Sequence, residues 1–349
     1  MPRFPAESLK RTVQEVFAAA GCKPPEDERI AHYLVEANLV GHDSHGVIRV
    51  AKYIEWLREG KVVANQPPTV VMETESLAVL DGNFGFGQTL GEAAVKLGIA
   101  KARSCGASVV ALRNCGHLGR IGDWPTLAAE ANLISLHFVN TSGAGLLVAP
   151  HGGIDRRISA NPIAAGIPLA GTWPMIVDIS TCAVAEGKIR VALHRGDRLP
   201  PGAIIDPEGK PTDDPKVFYG PPPGAILPFG GHKGYALAIL AEVMAGALTG
   251  GGCTTPGITR LSNGMLSIYI DPTRFADNAV FQNEVRRFID FVKSSRPATT
   301  DGKILIPGEI EAMTRERRLA QGIELDETTC GHLRETCESL GVSPPVAAK

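Results

Sequence analysis

The chain has 349 residues, and its 35 basic and 37 acidic side chains leave a formal net charge of −2. That balance gives no field of one sign, and with aromatics at only 5% it argues against a nucleic-acid partner, which needs a basic face or rings for bases to stack on. The length suggests two or three compact units, no run approaches the roughly 20 apolar residues of a membrane span, and the opening MPRFPAESLKRTVQEVF lacks the apolar core of a signal peptide.

Residues 7–60 read as helical, with apolar stripes at Leu9, Val13, Val16 and Phe17, then Ile30, Leu34, Ala37 and Val40, then Val50, Ile54 and Leu57. Pro24-Pro25 and Gly60 interrupt them, and Gln66-Pro67-Pro68 marks a linker. From about residue 70 short strands alternate with helices. Strands are expected at 76–80, 107–112, 133–139, 175–179 and 266–270, and helices at 90–103, 122–131, 233–248 and 275–293. Residues 195–230 are rich in Pro and Gly and read as a long loop carrying function or a subunit contact. A short extended segment at 304–307 precedes a charged helix over 309–320 and a last one over 326–340. Helices at both ends around a mixed centre suggest that the terminal segments pack together. The fold class is α/β or α+β. The seven cysteines form no CxxC pair and are odd in number, so they read as reduced thiols. The expectation is a soluble, cytoplasmic protein.

Five segments carry groups suited to chemistry. In Gly41-His42-Asp43-Ser44-His45-Gly46, followed by Arg49 and Tyr53, a helix from Ser44 would put His45, Arg49 and Tyr53 on one face. An imidazole exchanges protons near neutral pH, a guanidinium holds a carboxylate through two parallel hydrogen bonds, and Ser44 can orient a substrate oxygen. The same residues also suit an ordinary helix start capped by Asp43 or Ser44. His42, His45 and Asp43 could instead contribute zinc ligands, joined by one of His117, His137, His151, His194 or His232, but no HExxH or CxxC supports this.

The second segment, Asn114 to Asp123, lies between a strand and a helix. Its glycines would let backbone N–H groups approach a phosphate, with Arg120 pairing to it; a plain glycine turn capped by Asp123 is the alternative. The third, Asp81 to Gln88, spaces its glycines GxxGxG, the reverse of the dinucleotide fingerprint, and reads as a structural turn. In the fourth, Gly230-Gly231-His232-Lys233-Gly234, a lysine stands where the helix dipole disfavours it, which suggests an external anion or substrate group. In the fifth, Pro307-Gly308-Glu309-Ile310-Glu311, the glutamates suit a first helical turn, or Glu309 could accept ribose hydroxyls.

Together and in this order, GHDSHG, HLGRIGDW, SANP, HKGYALA, LTGGG and IPGE…TRERRLAQGI resemble the malate/L-lactate dehydrogenase family of the non-Rossmann type, over about residues 7–340. The family includes ureidoglycolate, sulfolactate and diketogulonate enzymes and the cyclic imino-acid reductases. The resemblance implies a mostly antiparallel seven-stranded sheet that binds NAD, or NADP, without the GxGxxG turn. It also implies a homodimer with the site near the subunit interface. Its segments would be 1–72 (helical), 73–118 with 286–349, and a cofactor-binding sheet over 119–285.

By the same resemblance His45 is the proton donor to a 2-oxo group, with Ser44 beside it, and His117 is the acid–base in some members. Arg49 holds the substrate carboxylate, with Tyr53 as a supporting substrate contact. Cofactor contacts fall on His45, His117, Gly119, Arg120, Ile121, Val177, Asp178, Ile179, Ser180, His232, Lys233, Asn263, Gly308, Glu309, Ile310 and Glu311, and no metal is implied. Where the family's common motif reads GTNP this chain has Ser159-Ala160-Asn161-Pro162, and Lys188 stands where imino-acid reductases carry a relay aspartate. Both departures favour hydroxy-acid chemistry over imino-acid reduction. Lys188 would bind a distal substrate group or stay a surface residue.

Overall fold

A computed structural model describes residues 1–143 and 145–347, the side chain of His194 excepted. The chain begins with β1 (Arg3–Phe4), α1 (Ala6–Ala19) and α2 (Glu26–Leu39), then two 3-10 turns at Asp43–His45 and Val47–Arg49, and α3 (Val50–Arg58). It continues through β2 (Thr69–Glu73), β3 (Leu77–Asp81), α4 (Gly87–Cys105), β4 (Ala107–Cys115), α5 (Asp123–Glu130), β5 (Ile134–Ser142), β6 (Ile163–Ile167) and β7 (Met175–Ile179). A small lobe follows, made of α6 (Glu186–Arg195), β8 (Ile204–Ile205), β9 (Pro211–Thr212), α7 (Pro215–Tyr219) and β10 (Ala225–Ile226). The chain returns as α8 (His232–Glu242), β11 (Ser262–Ile270), α9 (Asn278–Lys293), α10 (Glu309–Gln321), β12 (Ile323–Glu324) and α11 (Glu327–Leu340).

One seven-stranded sheet, in the order β2-β3-β4-β11-β5-β6-β7, organises the molecule. Only β3 and β4 run parallel, joined by α4 as crossover; the other neighbours are antiparallel. This is the sheet expected, and the Rossmann arrangement is absent from the described strands. α4 stops at Gly106, whose φ of +88° is a left-handed cap that a side chain would strain. Leu80, Leu90, Val95, Val110, Leu112, Trp124, Met265 and Tyr269 form the core between α4, α5 and the sheet.

The terminal helices share a second core, where Leu9, Val13, Phe17, Ile30, Leu34 and Tyr53 meet Ile323, Leu333 and Cys337. β1 pairs with β12, so the two ends of the chain close on each other as the sequence suggested.

The differences from expectation have local causes. β4, β5 and β11 run longer than their apolar stretches because polar ends such as Arg113, Asn140, Ser262 and Asn263 still find ladder partners. The 195–230 segment is not one loop: β10, β8 and β9 form a three-stranded sheet with its own core of Ile204, Phe218 and Ile226. α8 ends at Glu242 and passes into a π turn over Val243–Ala247. The large sheet takes strands from Thr69 to Ile270, so it runs across the boundary expected between 118 and 119.

Candidate active site

The GHDSHG segment leaves α2 through a left-handed Gly41 and folds as two 3-10 turns jointed at Gly46, not as the continuous helix that would place three side chains in a row. Ser44 and His45 end up together all the same. Ser44 Oγ and His45 Nδ1 share a hydrogen bond of 3.0 Å, and Arg49 Nε donates to the Ser44 carbonyl at 2.6 Å. That ties down one edge of the guanidinium and leaves its two terminal nitrogens for an anion. All three side chains are half-buried.

His117 comes from the turn after β4 and lies against His45, with ring centroids 5.6 Å apart. Gln88 Nε2 donates to Tyr53 Oη at 3.1 Å, so the Tyr53 hydroxyl donates to His117 Nδ1 at 2.6 Å. A neutral His117 then carries its proton on Nε2. Burial, then Arg49, pushes His117 down to about 3. Burial, followed by Arg49, His117, His42 and Arg120, holds His45 well below its ordinary value. Tyr53 is 2% exposed with its hydroxyl engaged on both sides. It reaches the site through His117, which corrects its expected contact with substrate. The Asp81–Gln88 turn serves as a buttress: Gly116 N–H donates to the Gly85 carbonyl, and a Cβ on Gly87 would lie 2.1 Å from the His117 carbonyl oxygen.

The segments resembling cofactor contacts are linked to one another around β7. Arg120, 2% exposed, donates from Nη1 to Asp123 at 2.8 Å and has Nε 3.8 Å from the Asp178 carboxylate. Burial opposes its charge, but Asp123 and Asp178 outweigh it. Two carboxylates already offset this guanidinium, so it is not the free cation expected to pair with a phosphate. Its Nε and Nη2 nonetheless have no partner among the described residues. Asp178 also accepts from Gly122 N–H at 2.8 Å, tying β7 to the Gly119–Gly122 turn. Gly308 lies on β7: a Cβ there would be 2.9 Å from the Pro174 carbonyl oxygen and 3.0 Å from Ile176 N. The turn it begins brings Glu311 Oε1 to His42 Nε2 at 3.2 Å. Val177 is half-buried and Ile179 exposed on β7, and Ser180 Oγ lies 2.6 Å from Cys182 Sγ. His232 and Lys233 are exposed at the start of α8, which packs on the Thr181 carbonyl through Gly234.

Asn263 departs from its expected role. It is 3% exposed, its Oδ1 accepts from Leu118 N–H, and its Nδ2 donates to the Asn140 carbonyl and to Thr141 Oγ1. With its amide consumed, it holds the His117 turn to β5. Glu309 faces Lys293 and caps Ile306 N–H at 3.0 Å, while Ile310 is exposed. Lys188 is exposed on α6, whose first turn meets the site at Gly187; a Cβ there would lie 3.1 Å from Ser44 Cβ.

Among the described residues no three His, Cys, Asp or Glu side chains converge as metal ligands. His137 is enclosed by Ser135 and Ser267, and the side chain of His194 lies outside the described residues. Sequence reasoning missed Gln88, Asn38 and Arg318. A polar Asn38 inside the apolar stripe of α2, 1% exposed, was the available signal.

Residues 4–334 match the protein family described as malate/L-lactate dehydrogenase. The hydroxycarboxylate dehydrogenase B of Escherichia coli (strain K12) is 39% identical, over 97% of this chain and 95% of that relative. The L-sulfolactate dehydrogenase of Methanothermobacter thermautotrophicus is 38% identical, over 93% of each. Among solved structures, the sulfolactate dehydrogenase from Methanocaldococcus jannaschii superposes with a TM-score of 0.88 at 34% identity, covering 98% of each chain.

Proposed function

The chain belongs to the malate/L-lactate dehydrogenase family, and on that premise we propose that it is an NAD-dependent enzyme interconverting a small 2-oxo acid and the corresponding 2-hydroxy acid. The observation that carries this is the convergence of a low-pKa imidazole and a tethered guanidinium on one short segment: Ser44 bonds to His45 through its hydroxyl and to Arg49 through its carbonyl. One group moves a proton at the substrate oxygen and the other fixes the substrate carboxylate.

A nicotinamide held here would supply the hydride to C2 in reduction and accept it in oxidation. Residues that would hold it are the Gly119–Ile121 turn, Val177 to Ser180, His232 with Lys233, and Gly308 to Glu311. The fit is supported by the unpartnered N–H donors of buried Arg120 beside Asp178, which leave polar capacity facing these segments.

Arg49 sets the order of events at His45. Burial first, and then the charge of the unpaired guanidinium, depress the imidazole, which is neutral at pH 7. A substrate carboxylate on Arg49 offsets that charge and raises the proton affinity of His45. His45 is then able to hold a proton for the carbonyl oxygen in reduction, and to take it back in oxidation through Nε2, which has no partner among the described residues. His117 orients the neighbouring face through its bond to Tyr53.

NAD in preference to NADP, a homodimer and a cytoplasmic site are parts of the same proposal. Seven free thiols fit a reducing compartment, and no described helix is long and apolar enough to cross a membrane. Exposed Val243, Leu248, Phe288 and Phe291 supply apolar surface for a second subunit. The test is a panel of 2-oxo acids and cyclic imino acids assayed with NADH and NADPH. Turnover of 2-oxo acids with NADH is expected; activity on cyclic imino acids alone would overturn the hydroxy-acid assignment.

A further inference from the structure

We propose that Asn38 is the positioning residue that sets the spacing between His45 and Arg49, and that Arg318 of α10 clamps this joint. The proposal rests on the roles given to His45 and Arg49 above. It begins from a mechanical problem. His45 ends the first 3-10 turn and Arg49 ends the second, and between them Gly46 is extended at φ −88° and ψ −150°. A joint of this kind, at the residue type with the most backbone freedom, does not hold two reacting groups in register by itself.

The side chain of Asn38 spans the joint. Its Oδ1 accepts from Val47 N–H at 2.8 Å, at the start of the second turn, and its Nδ2 donates to Asp43 Oδ1 at 2.6 Å, at the start of the first. Asn38 is 1% exposed and its bond to Val47 forms away from water, while the bond to Asp43 lies at the edge of the buried region, where Arg318 covers the carboxylate. Gly46 lies directly on this amide: a Cβ would stand 2.1 Å from Asn38 Oδ1. The residue at 46 must therefore be glycine to leave room for the amide, and the amide supplies the rigidity that glycine lacks.

Asp43 is gripped from the opposite side. Arg318 donates from Nη1 to Asp43 Oδ1 at 2.6 Å and from Nη2 to Oδ2 at 3.0 Å, a two-pronged pair, and Nη1 also reaches the Asn38 carbonyl oxygen. The same helix holds His42 through Glu311. The segment bearing His45 is thus fastened at Asn38 within α2 and at two points along α10, whose first turn is the Gly308–Glu311 cofactor segment. None of Asn38, Asp43 or Arg318 need touch substrate; each acts by fixing where Ser44, His45 and Arg49 point.

Misplacing reacting groups by about 1 Å can cost on the order of 10²-fold in rate. Steady-state kinetics of Asn38→Ala, with the nicotinamide nucleotide the enzyme uses, should show kcat reduced ~10–100-fold, raised KM for the 2-oxo acid, and a kcat pH profile displaced toward ordinary histidine. The nucleotide Kd, read by fluorescence titration, should stay within about twofold. Asp43→Asn keeps one acceptor oxygen for Asn38 but loses the second prong to Arg318, so its activity should fall between wild type and Asp43→Ala. A merely structural Asn38 would lower Tm but leave kcat, KM and pH profile per folded molecule at wild-type values, and that result overturns the proposal. If Asn38→Ala fails to fold, Arg318→Lys, which keeps the charge and loses the fork, is read the same way; wild-type kinetics there overturn the clamp. His45→Ala run in parallel separates the two claims. An active His45→Ala sinks the role of His45, whereas an inactive one beside an unaffected Asn38→Ala sinks only the positioning.

Discussion

The imidazoles of His45 and His117 lie face to face, 5.6 Å between centroids and 11° from parallel. Two rings so placed repel each other when both are charged, and each is also near Arg49. The pair therefore carries at most one positive charge in the working range. Because the free-enzyme value of His45 lies well below 6.5, kcat/KM for oxidation, which needs a neutral base, should stay level from pH 8 down past about pH 6.5. Reduction should slow as pH rises over the same range. His45→Ala should lower turnover ~10²–10⁴-fold in both directions. An oxidation profile that breaks near or above the ordinary histidine value would contradict the depression.

Arg49→Ala should chiefly raise KM for the 2-oxo acid, by ~10–100-fold, the range expected for losing a charged hydrogen-bond pair. Arg49→Lys should recover only part, since a lysine has no second edge with which to hold the Ser44 carbonyl. Initial-rate measurements across substrate concentration decide this; an unchanged KM in Arg49→Ala removes the clamp.

Tyr53→Phe keeps the ring but strips the hydroxyl from between Gln88 and His117. Buried Gln88 and half-buried His117 lose their partner, so stability should drop by about 1–3 kcal/mol in chemical denaturation. Turnover should fall less than in His45→Ala, because the phenol acts through His117. A loss as deep as that of His45→Ala would move the proton-transfer role toward His117.

How much of this was visible beforehand varies with the kind of signal. The helical stripes at Leu9–Phe17 and Ile30–Leu34 and the strand at 175–179 were legible, because periodicity is a local property. The polar ends of β4, β5 and β11 were not, because only neighbouring strands make them strand. The site divides the same way. His45, Ser44 and Arg49 stand within one motif, so the candidate cluster could be assembled from a single stretch of sequence. Gln88 and Arg318 act at separations of 35 and 275 residues from their partners, which no window along the chain reveals. Arg120 was found, but not that Asp123 and Asp178 enclose it.

His137 gives a prediction about stability alone. It is 0% exposed between Ser135 and Ser267, and burial pushes it from 6.5 down to about 3. Between those values the unfolded chain binds a proton that the folded imidazole does not. Stability is therefore present at neutral pH and lost as pH falls, by about 1.4 kcal/mol per pH unit from this group. His137→Gln should show a flatter dependence of Tm on pH between about pH 6.5 and 4, even with a lower Tm at pH 7.5. An equally steep curve would assign the acid sensitivity elsewhere.

The fork between Arg318 and Asp43 joins residues 275 positions apart. During synthesis the histidine of the SHG motif leaves the ribosome long before the arginine that braces its loop is translated. For most of that interval the nascent polypeptide carries every proton-transfer group but not the brace, so competence should appear abruptly, only after α10 has emerged and docked.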